Sequence, residues 1–267
     1  MRGVRHLPES WEALKTDLAG RFLYLFFDYD GTLSSIVRDP EQAVLSVRMK
    51  RRLERLSGDG RCRIAVISGR SLEDIRNRVG IAGIVYGGNH GLEMEGPGVT
   101  FRYPVPEKMK CALDELCGQL GKALLLFPGA FVEDKGLTLA VHFRRVKRGA
   151  LPAAMQTVLE TARPYRLRGE IVLRSGKEVC EIRPSVEWDK GKTVLWLLEK
   201  VEEAVGEAPW PVCLGDDRTD EDAFRAIRNR GLTVFVGEPR ETEAMYYLGS
   251  IGEVAEFLGR LARIRKG

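Results

Sequence analysis

Residues 21–28, RFLYLFFD, form an apolar run without alternation. A strand there must be buried on both faces, as a central parallel strand covered by helices is. Parallel neighbours need crossover helices, and the chain offers one at once. VRMKRRLERLSG (47–58) carries apolar residues at helical spacing and ends on Gly58, a helix stop signal. Further buried strands are expected in RCRIAVISGR (61–70), AGIVYGGNHG (82–91), WPVCLGDD (210–217) and GLTVFVG (231–237). The expected fold class is α/β, a Rossmann-like core with a parallel sheet whose ligands gather at the carboxyl ends of the strands.

Between residues 104 and 185 the rhythm changes. A helix is expected over PEKMKCALDELCGQL (106–120), then two strands around a turn at Lys135–Gly136. A second helix (151–163) and a hairpin turning at Ser175–Gly176 follow. This is the pattern of a smaller α+β domain, residues 104–185, inserted into a core domain made of residues 1–103 and 186–267.

Composition narrows the function classes. A chain of 267 residues with 44% hydrophobic content can bury a sizeable core, and its net charge of +4 is too small and too evenly spread to make nucleic acid the default partner. The basic RRVKR (144–148) reads as a solvated connection, and RLARIRKG (260–267) as cations at a helix C-terminus. Five cysteines show neither C-x-x-C pairs nor the density of a disulfide scaffold, which fits a reducing cytoplasm. The N-terminal apolar run 22–27 is far below the roughly 20 residues that span a bilayer. A soluble, cytoplasmic protein with no membrane partner is expected.

Four polar constellations interrupt the apolar pattern. Asp28 and Asp30 sit two apart at the end of the first strand, before Gly31, so both carboxylates can reach one side. A carboxylate at a buried strand end needs a compensating charge, which a metal ion could supply, although D-G is also a common turn pair. Ser68, Gly69 and Arg70 end the second strand before a helix start near Leu72, a setting that suits an anion. Lys190 stands at the start of an amphipathic helix, contrary to the macrodipole preference, where it could neutralise a phosphate or simply be exposed. In GDDRTDEDAF (215–224), acids crowd a strand end; helix capping accounts for some of them, but less easily for Asp216.

In this order, the four constellations resemble the motifs of the haloacid dehalogenase superfamily of phosphotransferases. The resemblance covers the first and last thirds of the chain. It implies that Asp28 is the nucleophile forming an aspartyl-phosphate and that Asp30 is the general acid and then the base. It further implies that Asp28, the Asp30 carbonyl and Asp216 hold Mg²⁺, that Asp217 and Asp220 bind metal waters or orient Lys190, and that Ser68 and Lys190 hold the phosphoryl oxygens. The strings DYDGTL (28–33), GNHGLE (88–93), VEDKGLTLAVHFR (132–144), EIRP (181–184) and GDDRTDEDAF resemble, more narrowly, trehalose-6-phosphate phosphatases. That resemblance implies hydrolysis of a small-molecule sugar phosphate, trehalose 6-phosphate, with the inserted domain as a cap, and possible coupling to a trehalose-6-phosphate synthase.

Substrate contacts are expected from Gly69, Arg70, Asn89, His90, His142, Arg144, Lys177 and Glu181. The resemblance favours Lys177 and Glu181, which lie four apart and so on one face of a single strand. Arg70 could contact phosphate or close a salt bridge. Another sugar-phosphate phosphatase (for sucrose 6-phosphate or a glucosylglycerate phosphate), a phosphohexomutase and a non-catalytic sugar-phosphate sensor are the competing functions. The proton-shuttling Asp30 argues against the sensor.

Overall fold

The computed structural model describes residues 4–37, 40–176 and 178–265. The chain divides into two compact units, Met1–Arg102 with Trp188–Gly267, and Tyr103–Glu187. The inserted unit thus starts one residue before, and ends two residues after, the expected 104–185.

In the larger unit, nine strands form one sheet in the order Arg5–His6, Tyr246–Leu248, Leu232–Val236, Trp210–Gly215, Leu23–Phe27, Cys62–Ile67, Val85–Gly88, Glu93–Gly96 and Val99–Arg102. All neighbours pair in parallel except the last two strands, which are antiparallel. The α/β expectation holds, and the five expected strands are present. Four more were not read from sequence. Arg5–His6 is only two residues long, and the EMEG and VTFR strands are partly exposed and lack a sustained apolar signal.

The central strands are unalternating because both faces are covered. Leu23, Leu25 and Phe27 join one apolar layer, with Met49 and Leu53 of the helix Val47–Ser57 and with Val254 and Leu258 of the helix Ile251–Ile264. Tyr24 and Phe26 face the other layer, with Leu197 of the helix Lys190–Val205 and Phe224 of the helix Arg218–Ile227. Chain order then fixes where ligands gather. Successive strands run outward from Leu23–Phe27 in one direction and from Trp210–Gly215 in the other, so the crevice between these two neighbours is a topological switch point.

The smaller unit has a four-stranded antiparallel sheet in the order Phe131–Asp134, Leu139–His142, Val179–Pro184, Ile171–Gly176. The helices Glu107–Ala123 and Leu151–Leu167 bury Leu116, Leu120, Val158 and Ala162 with Val141 and Ile182 of the sheet. Ser175 and Gly176 are not the turn. They belong to the strand, paired with Cys180 and Val179, and Glu178 in the connection is left-handed, at φ 59°. Where the chain leaves and re-enters the larger unit, Phe101 and Trp188 stack with ring centroids 4.9 Å apart.

Leu25 is fully buried at the middle of the sheet. Leu25→Ala is expected to cost about 2–5 kcal/mol, read as a lower urea midpoint. An unchanged midpoint would contradict the packing described.

Candidate active site

The switch point brings Asp28 and Asp216 together at the carboxyl ends of adjacent strands. Asp28 directly follows Leu23–Phe27, and its amide donates to the Leu214 carbonyl at 3.0 Å. Just beyond it the backbone turns through Gly31 at φ +96°, where a Cβ would lie 2.1 Å from Asp216 Oδ2. Glycine alone meets both demands. Thr32 Oγ1 donates to Asp216 Oδ1 at 3.5 Å.

Lys190 enters at the first turn of its helix, whose N-cap Asp189 accepts from Lys192 N at 2.8 Å. Buried to 3% exposure, its Nζ donates to Asp28 Oδ1 at 2.5 Å and to Asp220 Oδ1 at 2.7 Å. The other oxygen of Asp220 accepts from the amides of Asp216 (3.1 Å) and Asp217 (3.0 Å). Asp220 therefore orients Lys190 while itself being fixed by the turn. Asp217 is the exposed N-cap of Arg218–Ile227.

Carboxylate oxygens of Asp28, Asp216 and Asp220 lie within 4.8 Å of one another, and one ammonium bonds two of the three. Burial pushes the Asp28 carboxyl well above its ordinary value; Lys190 opposes the rise, and Asp220 and Asp216 add to it. Burial also pushes Asp216 up to about 7, with Asp220 adding and Lys190 opposing. For Lys190, burial works against the charge, but Asp220 and Asp28 more than reverse it, so the ammonium titrates above its ordinary value. The surplus of negative charge, carried by hard oxygen donors, fits a divalent cation.

Ser68 is buried beside this cluster's strand, and its Oγ accepts from Arg70 N at 3.2 Å. Arg70 closes the salt bridge that sequence left as one of two options. Its Nε and Nη2 donate to the two oxygens of Asp30, each at 2.7 Å, while Nη1 donates to Asp74 Oδ2 at 2.7 Å. Gly69 occupies the same turn, between the strand Cys62–Ile67 and the helix Leu72–Val79.

Asn89, His90 and Gly91 are three successive residues at φ 49°, 59° and 91°. The loop is pinned from several sides. His90 N donates to the Ser68 carbonyl at 2.8 Å and Asn89 N to the Arg70 carbonyl at 2.7 Å. Asn89 Nδ2 donates to Glu93 Oε1 at 2.9 Å, and Trp188 Nε1 to the Gly91 carbonyl at 2.8 Å. A Cβ at Gly91 would lie 2.1 Å from Thr193 Oγ1. Sequence reasoning missed Thr32, Asp74, Glu93 and Trp188: Asp74 and Glu93 hold groups only four positions away, whereas Thr32 and Trp188 reach Asp216 and Gly91 across the chain.

The remaining candidates belong to the smaller unit. His142 Nε2 lies 2.7 Å from Glu133 Oε2, and its ring stacks on Phe131. Arg144 is half-buried just past that strand. Glu181 pairs with Arg183 within the strand Val179–Pro184. The expectation that Lys177 shares a strand face with Glu181 falls on a residue outside the described ones, Lys177.

Residues 26–248 match the profile of a family described as trehalose-phosphatase. Over 275 residues the chain is 41% identical to a trehalose-phosphate phosphatase of Mycobacterium bovis, an alignment covering 98% of this chain and 67% of that protein. The C-terminal domain of a C. albicans trehalose-6-phosphate phosphatase aligns with a TM-score of 0.82 at 25% identity, covering 98% of this chain and 99% of that one. A haloacid dehalogenase-like hydrolase from Bacteroides thetaiotaomicron, 17% identical, shares the fold with a TM-score of 0.63, covering 90% of this chain and 99% of that one.

Removing the central cation should expose the dependence of the cluster on it. Lys190→Met is expected to destabilise the fold by about 3–5 kcal/mol at neutral pH, since it leaves buried carboxylates uncompensated. Asp28→Asn should cost much less, because Lys190 keeps Asp220. Denaturant unfolding of both variants checks the order, and equal losses would contradict it.

Proposed function

Because the chain belongs to the trehalose-phosphatase family, we propose that it hydrolyses trehalose 6-phosphate to trehalose and phosphate through an aspartyl-phosphate on Asp28. The observation that carries this reading is the buried Asp28–Lys190–Asp220 array at the switch point, beside Asp216. An anionic nucleophile can approach an anionic ester only where positive charge has been arranged in advance.

An Asp28 oxygen attacks phosphorus, and the bond to the sugar oxygen breaks. Asp30, two residues on, gives its proton to the departing alkoxide. In the second half, the Asp30 carboxylate takes a proton from the water that attacks phosphorus, and Asp28 leaves as a carboxylate. The Arg70 fork holds both Asp30 oxygens, so the acid step requires that pair to loosen. Lys190 keeps its charge next to Asp28 and steadies the phosphoryl oxygens. Ser68, whose Oγ accepts from Arg70 N, has its hydroxyl proton left to donate to the same oxygens. We assign Mg²⁺ to Asp28, Asp216 and the Asp30 carbonyl; when bound it supplies charge neutralisation.

The Tyr103–Glu187 unit is assigned the part of the substrate-specificity cap, with His142, Arg144, Lys177 and Glu181 as sugar-contacting candidates, and Gly69, Arg70, Asn89 and His90 as candidates on the larger unit. Five unbridged cysteines support a cytoplasmic location, and no helix among the described residues is long and apolar enough to cross a membrane. Functional coupling to a trehalose-6-phosphate synthase follows as the source of the ester.

Phosphate release from trehalose 6-phosphate, glucose 6-phosphate, sucrose 6-phosphate and para-nitrophenyl phosphate tests the reading. Preferential turnover of trehalose 6-phosphate that stops on chelation and returns with Mg²⁺ is expected. Asp28→Asn should lower the rate by more than about a thousandfold in a folded protein. Near-native turnover in that variant would rule out the covalent route.

A further inference from the structure

The geometry points to a second anion site on the larger unit, a groove between the helices Val47–Ser57 and Ile251–Ile264 that binds a small ligand bearing two or more phosphoryl groups. These helices pack on the sheet face opposite the helices that carry Lys190 and Asp220. The groove is a concavity of ≈ 550 Å³, within the usual range of small-molecule sites. Arg48, Arg52 and Arg55 line one wall, Arg260 and Arg263 the other, and Glu256 is the one carboxylate among them.

Like charges one helical turn apart, such as Arg48 and Arg52, destabilise a helix, and here a second basic row faces them. None of the five arginines forms an ion pair among the described residues. What they have instead is neutral. Arg263 Nε donates to the Gly259 carbonyl at 3.2 Å, and Arg260 lies over the Trp11 ring, 5.8 Å from its centroid. Arg52 Nη1 is shut off from solvent and has no hydrogen-bond partner. An unpartnered charged donor is costly, and burial together with Arg48 and Arg263 lowers the pKa of this guanidinium against the pull of Glu256.

Gly259 makes that position possible. A Cβ there would lie 2.9 Å from Arg52 Cζ and 3.0 Å from Nη2, so the guanidinium rests in the space that a side chain would fill. A planar guanidinium seated on bare helix backbone is held in place for phosphoryl oxygens, which arginine recognises through paired N–H groups. One phosphoryl group would engage only part of the array. Two or more linked groups can reach both walls, which favours a compact polyphosphate-bearing molecule over orthophosphate. Sequence assigned the cations of residues 260–267 to the helix C-terminus, but Arg48, Arg52 and Arg55 come from a different helix, and the macrodipole of the first does not account for them.

Inorganic pyrophosphate, titrated calorimetrically into the full chain without divalent cations at physiological ionic strength, tests the site. Saturable binding is expected, tighter than that of orthophosphate or sulfate. Arg52→Gln and, separately, Gly259→Ala should weaken it at least about tenfold. Gly259→Ala retains every charge and displaces only the guanidinium. Both variants should keep the turnover of trehalose 6-phosphate, which shows that they are folded and separates this test from that of the active site. Pyrophosphate should also raise the thermal midpoint of the parent chain more than that of either variant. Absence of saturable binding, equal binding of sulfate and pyrophosphate, or binding unchanged in both variants would overturn the proposal.

Discussion

Lys190 is a cation placed where a helix end and a closed core would both exclude it. It is tolerated because Asp28 and Asp220 meet it there, and each of those carboxylates is tolerated because Lys190 is present. The array therefore stands or falls as a unit. Much of the local architecture serves it. Asp220 hangs from two backbone amides of the turn, and Gly31 clears the space that Asp216 fills. Buried charge left partly uncompensated costs stability, and that cost coincides with the proposed site of the anionic ester.

Topology explains why the groups meet although Asp28 and Lys190 are 162 positions apart in the chain. Two neighbouring strands that begin opposite runs of crossovers leave a crevice at their carboxyl ends. The first strand delivers Asp28 and Asp30 to it, and its partner delivers Asp216. Helices from one layer add Lys190 and Asp220. The same division into layers leaves the other face free to carry a different chemistry, and the arginine-lined groove lies there.

The central strands were legible because burial on both faces removes alternation, as in RFLYLFFD. The acids Asp28 and Asp30 could be singled out because a carboxylate at the end of such a strand needs a compensating charge. Less could be read where the decisive contact is made by distant residues. The two options for Arg70 could not be separated, since its salt-bridge partner Asp30 lies 40 positions away. The short strands Arg5–His6 and Tyr246–Leu248 are defined by pairing with each other and with Leu232–Val236, which no local pattern encodes. The hairpin near Ser175–Gly176 was displaced by two residues because glycine suggested the turn, whereas the register places Gly176 in the ladder opposite Val179.

Phe101 and Trp188 lie on either side of the inserted unit in sequence, yet their rings are in contact. The chain thus departs from the larger unit and returns to it at a single spot. Insertions whose two ends emerge side by side are the kind that a host fold accepts, since the host closes on itself without them. The strand that leads to Asp28 and the helix that opens on Lys190 need not change when the inserted segment is lengthened, trimmed or exchanged. In evolutionary terms this junction works as a socket, at which the inserted segment can vary while the host fold is inherited intact.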